Sequence, residues 1–372
     1  MPSIEKRVRD GRTRYYARYR TPDGIQRTKV FDRKKDAADF LTGVEGAKLV
    51  GGFVDPARSK VAVGPWASDW IAGRVHLSPK TRERYEGIIR AQIRPRWGNV
   101  PLAKVTHAEV QKWVAELDLA PASVRKVHRV FSMILAAAVK DGRLARNVAE
   151  QIALPRVEQS EMRFLTHAQV DALATEVGED WALIVRFLAY TGLRWGEMAA
   201  LRVSRLDLLR GRAIVAESVT PVGGVMTWGP TKGHERREVP LPRFLAQELE
   251  QQIAGRGRDD LVFIGPRGAV LRSQTFQRAA LTPAAGRLGL EGLHPHELRH
   301  TAASLAIASG ADVKVVQQML GHKSATMTLD LYGHLFGDRL DLVAEALDAA
   351  RTAALVYPVC TEPGLRLVSQ GA

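Results

Sequence analysis

Apolar residues recur at helical spacing from Trp66 onward, the pattern stops at Leu154-Pro155-Arg156-Val157-Glu158-Gln159-Ser160, and it restarts behind Thr166. A chain interrupted in this way folds around separate cores on either side of a linker, which we place at 154–162. Before the break, Trp66, Trp70 and Ile71 share one helical face, and Thr81 to Ile93 puts Tyr85, Ile88 and Ile89 on another. The stretch from Ala122 to Val139 points Val127, Phe131, Ile134 and Leu135 inward, so residues 62–153 read as all-helical. Thr106-His107-Ala108-Glu109 has the form of a capping box, and Thr166-His167-Ala168-Gln169 repeats it where the second helical region opens.

Residues 1–55 follow a different rule. Arg14 to Arg20 has the aromatic content and partial alternation of a strand, Pro22-Asp23-Gly24 signals a turn, and Gln26 to Phe31 reads as the next strand. Asp32 is placed to cap a helix running through Lys34, Ala37, Phe40 and Leu41, and Gly51-Gly52 and Asp55-Pro56 then break the chain. Beyond residue 163, helices alternate with one short β region at about Ala213–Glu217, Val225–Trp228 and Glu238–Leu241. The expected fold is multidomain and mainly α. It comprises a small β-sheet plus helix domain at 1–55, an all-helical domain at 62–153, a mixed α+β domain at 163–350 and a tail at 351–372.

Charge is unevenly spread. Of a net +14, residues 1–60 hold 15 Lys/Arg against 8 Asp/Glu, residues 61–160 hold 16 against 9, and the rest balance at 23 against 23. An excess confined to the first 160 residues suggests a grip on a polyanion there, although a merely well-solvated surface has the same composition. Candidate phosphate contacts are Arg14, Arg18 and Arg20 on the strand, Arg82 on the first long helix, and Arg125, Lys126 and Arg129 on the second. Apolar stretches such as Met133 to Val139 are too short to cross a bilayer, and the N-terminus lacks the apolar core of a signal peptide. A single cysteine, Cys360, rules out an internal disulfide and a cysteine-built zinc site. A cytoplasmic protein with no membrane partner is expected.

Four segments carry chemistry. In Thr191-Gly192-Leu193-Arg194-Trp195-Gly196-Glu197, Gly192 is placed to end an apolar helix in a left-handed cap, and Arg194 opens the next helix with Glu197 one turn on. In Pro230-Thr231-Lys232-Gly233, Lys232 sits on a turn leading into a strand, where a plain solvated lysine is equally ordinary. In His294-Pro295-His296-Glu297-Leu298-Arg299-His300-Thr301, Pro295 suits a first helical position, and His296, Arg299 and His300 fall on one face. In the stretch from Leu320 to His334, Gly321 ends one helix, Ser324 caps the next, and Tyr332 falls near that helix's end, ten residues past His322.

In content, order and approximate spacing, the segments holding Arg194, Lys232, His296, Arg299, His322 and Tyr332 resemble the catalytic signature of the tyrosine recombinases, the phage integrase family. The resemblance covers roughly 163–345. The helical region before it looks like the family's core-binding domain, and residues 1–55 look, more loosely, like its arm-site-binding domain. The resemblance implies a site-specific recombinase whose nucleophile, Tyr332, forms a 3′-phosphotyrosine. Arg194 and Arg299 would clamp the phosphate, His322 would hydrogen-bond it, and His296 would be the base. Lys232 would protonate the leaving 5′-oxygen, with Glu197 and His300 in support. It further implies core-type and arm-type duplex DNA as partners and a homotetramer in the synaptic complex. A host DNA-bending protein and an excision factor would be accessory partners, and no cofactor or metal is needed.

Rival readings exist. His296-Glu297-Leu298-Arg299-His300 satisfies the His-Glu-x-x-His zinc-protease pattern, but Ala303 and Ala306 occupy the places where the extended motif needs glycine and a third histidine. A non-enzymatic DNA-binding protein on the same scaffold conflicts with the complete residue set. A type IB topoisomerase or a telomere resolvase shares the chemistry, and the arm-like N-terminus favours an integrase over both.

Overall fold

The computed structural model describes residues 2–356 except 10–11, 22–23, 50–52, 55–57, 159–161, 232, 234–235, 266–267 and 338–339. The turn at Pro22-Asp23, the breaks at Gly51-Gly52 and Asp55-Pro56, Lys232, and the tail from residue 357 with Cys360 therefore lie outside the described residues. The chain forms two compact units, residues 1–160 and 161–372.

The first unit opens with three antiparallel strands in the order β1 (Ser3–Arg9), β2 (Arg12–Arg20) and β3 (Gln26–Phe31). Ile4 pairs with Ala17 and Tyr15 with Phe31, so these positions share a face. That face carries helix α1 (Lys34–Leu49), whose Ala37, Leu41 and Val44 are buried against Ala17 and Tyr19. Period-two alternation sends Arg14, Tyr16, Arg18 and Arg20 to the opposite face. β1 was not expected: Ser-Ile-Glu-Lys-Arg-Val-Arg is mostly charged, and its strand state follows from pairing with β2 rather than from its own propensity.

Among the described residues the same unit continues with the α-helices α2 (Val63–Ala72), α3 (Pro79–Ile88), α4 (Arg94–Trp97), α5 (His107–Ala115) and α6 (Pro121–Lys140). Ser78 accepts a hydrogen bond from Thr81 N with Pro79 at the first helical position, and Thr106 caps α5 through Glu109 N. The core centres on Trp97, which is 0% exposed. Its ring stacks on Phe131 at 5.4 Å and meets Trp113 edge-on at 5.8 Å. Trp66, Trp70, Ile134 and Leu135, expected inside, join the same cluster.

The second unit contains α7 (His167–Glu176), α8 (Glu179–Thr191) and α9 (Trp195–Ala199), then β4 (Leu206–Asp207), β5 (Arg212–Val215), β6 (Glu217–Val222), β7 (Val225–Pro230) and β8 (Arg237–Pro240). Helices α10 (Arg243–Gln252), α11 (Ser273–Phe276), α12 (Thr282–Arg287), α13 (Pro295–Ala308), α14 (Val313–Leu320), α15 (Ala325–Tyr332) and α16 (Leu340–Val356) complete it. The apolar helix α8 packs against α7, α10 and α13 and forms the middle of the core. The single β region expected from sequence is two sheets, β4-β5-β8 and the hairpin β6-β7. The expected strands at Ala213–Glu217, Val225–Trp228 and Glu238–Leu241 correspond to β5, β7 and β8, and β6, which contains Pro221, was not expected as a strand. A two-stranded hairpin has a free edge on each strand and tolerates proline, and here Pro221 pairs with Met226.

Close backbone contact supports the helical core at one point. Gly64 N donates to Gly98 O at 3.0 Å, and a Cβ at residue 64 would lie 2.7 Å from that oxygen. Gly64→Ala is expected to destabilise the helical region by about 1–3 kcal/mol through overpacking. Calorimetry of the full chain should show one thermal transition lowered; an unchanged trace would refute the packing argument.

Candidate active site

Gly192 ends α8 in the left-handed conformation at φ 65°. The chain turns there and presents Arg194 at the start of α9. Glu197, one turn on, is 2% exposed and binds Arg194 twice, accepting from its backbone N and its Nη1, both at 2.9 Å. The same carboxylate accepts a fork of two hydrogen bonds from Arg237 at the start of β8, at 2.7 and 3.2 Å. Burial pushes the Glu197 carboxyl up, but the hydrogen bond and charge of Arg237, with the charge of Arg194, bring it below the usual range. It is therefore an anion at neutral pH.

Arg299 is 3% exposed. Its Nη1 donates to Gly192 O at 2.5 Å and its Nη2 to Leu320 O at 2.7 Å. Those oxygens end α8 and α14, where carbonyls lacking helical partners and the negative ends of two helix dipoles favour a cation. Arg237 Nε adds a bond to Met319 O at 3.1 Å, beside the left-handed cap at Gly321. Burial, followed by the charge of Arg194, lowers Arg299 to about 9, which leaves it cationic at neutral pH.

Tyr332, the last residue of α15, is 1% exposed and packs on Ala303, Ile307, Val316 and Leu320. Burial pushes its phenol up, and the Arg299 charge opposes this in part. The hydroxyl lies 2.8 Å from His300 Nδ1. The ring of His322 lies parallel to it, with centroids 6.4 Å apart, and His322 Nδ1 meets Thr328 Oγ1 at 3.0 Å. Burial and then the Arg299 charge push His322 down to about 4, so the ring is neutral at physiological pH. His296 stands edge-on to His300 at 4.9 Å. Burial, then the His300 and Arg299 charges, hold it below its ordinary value.

Arg194, Arg237, Thr231, Gln317, His322 and Lys323 line an open cleft of about 450 Å³. The structure thus brings Arg194, Glu197, Arg299, His300, His322 and Tyr332 together, with His296 beside His300. The sequence reading missed Arg237. A forward signal existed only in the place of that residue, at the start of the strand behind Lys232, and an arginine there reads as an ordinary strand-surface residue. The zinc pattern at 296–300 serves a different purpose: Glu297 Oε2 turns back to His294 N at 3.0 Å and stands 2.9 Å from His294 Nδ1, capping α13. Among the described residues, no three His, Cys, Asp or Glu side chains gather as a metal-holding group.

The basic candidates of the first unit divide into two kinds. Arg14, Arg20, Arg125, Lys126 and Arg129 are exposed. Arg125 also donates to Pro155 O at 2.9 Å. Arg18 is paired with Glu5 at 2.5 Å. Arg82 donates to Ile71 O at 3.0 Å and Arg74 O at 2.7 Å, so its guanidinium is engaged at the end of α2.

Residues 163–338 match the model of the "Phage integrase family", and residues 66–117 match "Phage integrase, N-terminal SAM-like domain". The integrase of Mycobacterium phage D29 is 29% identical over 288 residues, covering 73% of this chain and 75% of that protein. The fold is similar to that of the Tn1549 transposon integrase in complex with a circular intermediate DNA, with a TM-score of 0.66 and 20% identity over 77% of this chain and 99% of that one. A lambda integrase tetramer bound to a Holliday junction gives a TM-score of 0.56 at 21% identity, over 86% and 96% of the two chains. The chain belongs to the phage integrase family of tyrosine recombinases.

Arg237→Ala leaves the buried Glu197 carboxylate with one guanidinium instead of two. The expected loss is about 3 kcal/mol, the scale for breaking a buried pair, and Arg237→Lys should recover less than half of it because a lysine lacks the fork. Urea denaturation of the full chain checks this; an alanine variant as stable as the parent would refute it.

Proposed function

We propose that this chain is a site-specific DNA recombinase that cuts and rejoins duplex DNA through a 3′-phosphotyrosine at Tyr332, integrating and excising a mobile element. The observation that carries this is the meeting of a buried phenol with guanidiniums whose charge exceeds that of their one carboxylate. A phosphodiester anion is the complement of such a surplus. In the forward step the Tyr332 oxygen bonds to phosphorus, the bond from phosphorus to the 5′-oxygen breaks, and a 5′-hydroxyl leaves. The bond energy stays in the phosphotyrosine, so ATP is not required. Arg194 and Arg299 stabilise the charge that grows on the non-bridging oxygens. His322 hydrogen-bonds the phosphate, and Lys232, outside the described residues, protonates the leaving oxygen. The family resemblance assigns the nucleophile's proton to His296.

The charge of the first 160 residues serves to hold DNA, and the exposed Arg14, Arg20, Arg125, Lys126 and Arg129 are its proposed phosphate contacts. The helical region at 62–153 takes core-type sites and the sheet domain at 1–55 takes arm-type sites. Linking two such sites calls for bent DNA, which is the role of a host DNA-bending protein, with an excision factor setting direction. Four protomers on two duplexes complete the reaction, in line with the tetramer of the lambda relative. No helix among the described residues is long and apolar enough to cross a membrane, and we place the protein on DNA in the bacterial cytoplasm.

Tyr332→Phe is expected to bind a nicked duplex, selected from a random pool by the full chain, with unchanged affinity and to form no covalent adduct. Electrophoresis under denaturing conditions reads the adduct, and trapping by the phenylalanine variant would show that another residue is the nucleophile. Deletion of residues 1–55 is expected to abolish recombination between full attachment sites while core-site cleavage stays detectable. Full recombination by the truncated chain would refute the arm-site assignment.

A further inference from the structure

We infer that His300, not His296, is the catalytic base that takes the proton of Tyr332 during cleavage and returns it during rejoining. The inference rests on the strand-exchange reading above. His300 touches the reacting atom: its Nδ1 lies 2.8 Å from the Tyr332 oxygen. His296 is one helical turn earlier on α13, with its ring edge-on to His300 rather than against the phenol. A protonated phenol donates, so His300 Nδ1 accepts, and the ring carries its own hydrogen on Nε2.

The surroundings suit a proton acceptor. From α13, His300 faces His296, Arg299, Glu297 and His294; from α15 it faces Tyr332. Burial and then the Arg299 charge hold the imidazole below its ordinary value, against an opposing pull from Glu297, so the ring is neutral and its lone pair free to accept at neutral pH. In the free chain Tyr332 is 1% exposed, and the imidazole at 2.8 Å is a proton acceptor already within reach of its hydroxyl.

The step balances without a further reactant. The phenolic O–H breaks as the oxygen–phosphorus bond forms, the proton moves to His300 Nδ1, and the electron pair of the breaking bond leaves on the 5′-oxygen, which takes a proton from Lys232. In rejoining, the 5′-hydroxyl attacks phosphorus and gives its proton back to Lys232, the tyrosine oxygen leaves, and His300 returns the proton to it. His296 is then free to hydrogen-bond the phosphate from the solvent-exposed side.

The test uses the full chain and the selected nicked duplex, with covalent adduct formation timed in a single turnover. His300→Ala is expected to slow adduct formation by about 100-fold or more, the usual contribution of a general base, with DNA affinity unchanged. Added imidazole is expected to restore part of the rate. His300→Gln, which keeps an acceptor but cannot take a proton, is expected to stay as slow as alanine. A substrate with sulfur in place of the leaving 5′-oxygen is expected to give no rescue, since it relieves only a missing acid. An alanine variant as fast as its parent, or faster, would overturn the inference and make the contact a resting place for the tyrosine. Recovery by glutamine would also overturn it, assigning His300 to positioning, as would rescue by the sulfur substrate or a loss that imidazole does not relieve. No adduct from the parent chain would instead overturn the strand-exchange reading itself.

Discussion

The buried cationic cluster around Glu197 is the constraint from which the catalytic unit is organised. One carboxylate holds Arg194 and Arg237, while Arg299 is held by carbonyl oxygens alone. Desolvating Arg299 and Arg237 is costly, and a single anion offsets only part of that cost. The remainder is offset by the negative ends of α8 and α14, whose final carbonyls Arg299 and Arg237 bind. The site is therefore short of negative charge when empty. The phosphodiester proposed to bind there, which becomes more negative as it approaches pentacovalent phosphorus, would supply what is missing.

The same bonds tie chemistry to fold. Arg299 lies on α13 and reaches the ends of α8 and α14; Arg237 lies on β8 and reaches α9 and α14. Both reaches depend on chain reversals at glycines in the left-handed conformation, Gly192 at φ 65° and Gly321 at φ 64°. A Cβ on Gly192 would lie 2.6 Å from a Leu320 methyl, and one on Gly321 would lie 3.0 Å from the Arg237 side chain. Closeness of backbone is thus what lets the guanidiniums reach the carbonyls. Tyr332 and His300 meet behind this frame in an apolar pocket, where a neutral imidazole and a protonated phenol are the stable forms.

Local signals made much of this legible. The helices through Trp66, Thr81 and Ala122, the caps at Thr106, Thr166, Gly192, Gly321 and Ser324, and the strand Gln26–Phe31 each follow from periodicity or from a residue whose backbone preference is strong. β1 was illegible because an edge strand of charged residues takes its state from its partner. β6 was not expected, and the proline it contains is tolerated on a hairpin edge, which only the pairing reveals. Arg82 reads as one more cation on a basic helix, yet its donors are engaged with carbonyls at the end of α2.

By itself the sequence determined most of the candidate inventory: Arg194, Glu197, His296, Arg299, His300, His322 and Tyr332, their order, and the glycines where the chain reverses between them, but not Arg237. Those are properties of residue type and short spacing. What only the tertiary structure decided is which of those groups touch. Glu197 and Arg237 stand forty residues apart, and His300 and Tyr332 thirty-two. Pairings over such separations depend on how α8, α13 and α14 pack, and no local pattern encodes the distance between two side chains that a shared core brings together.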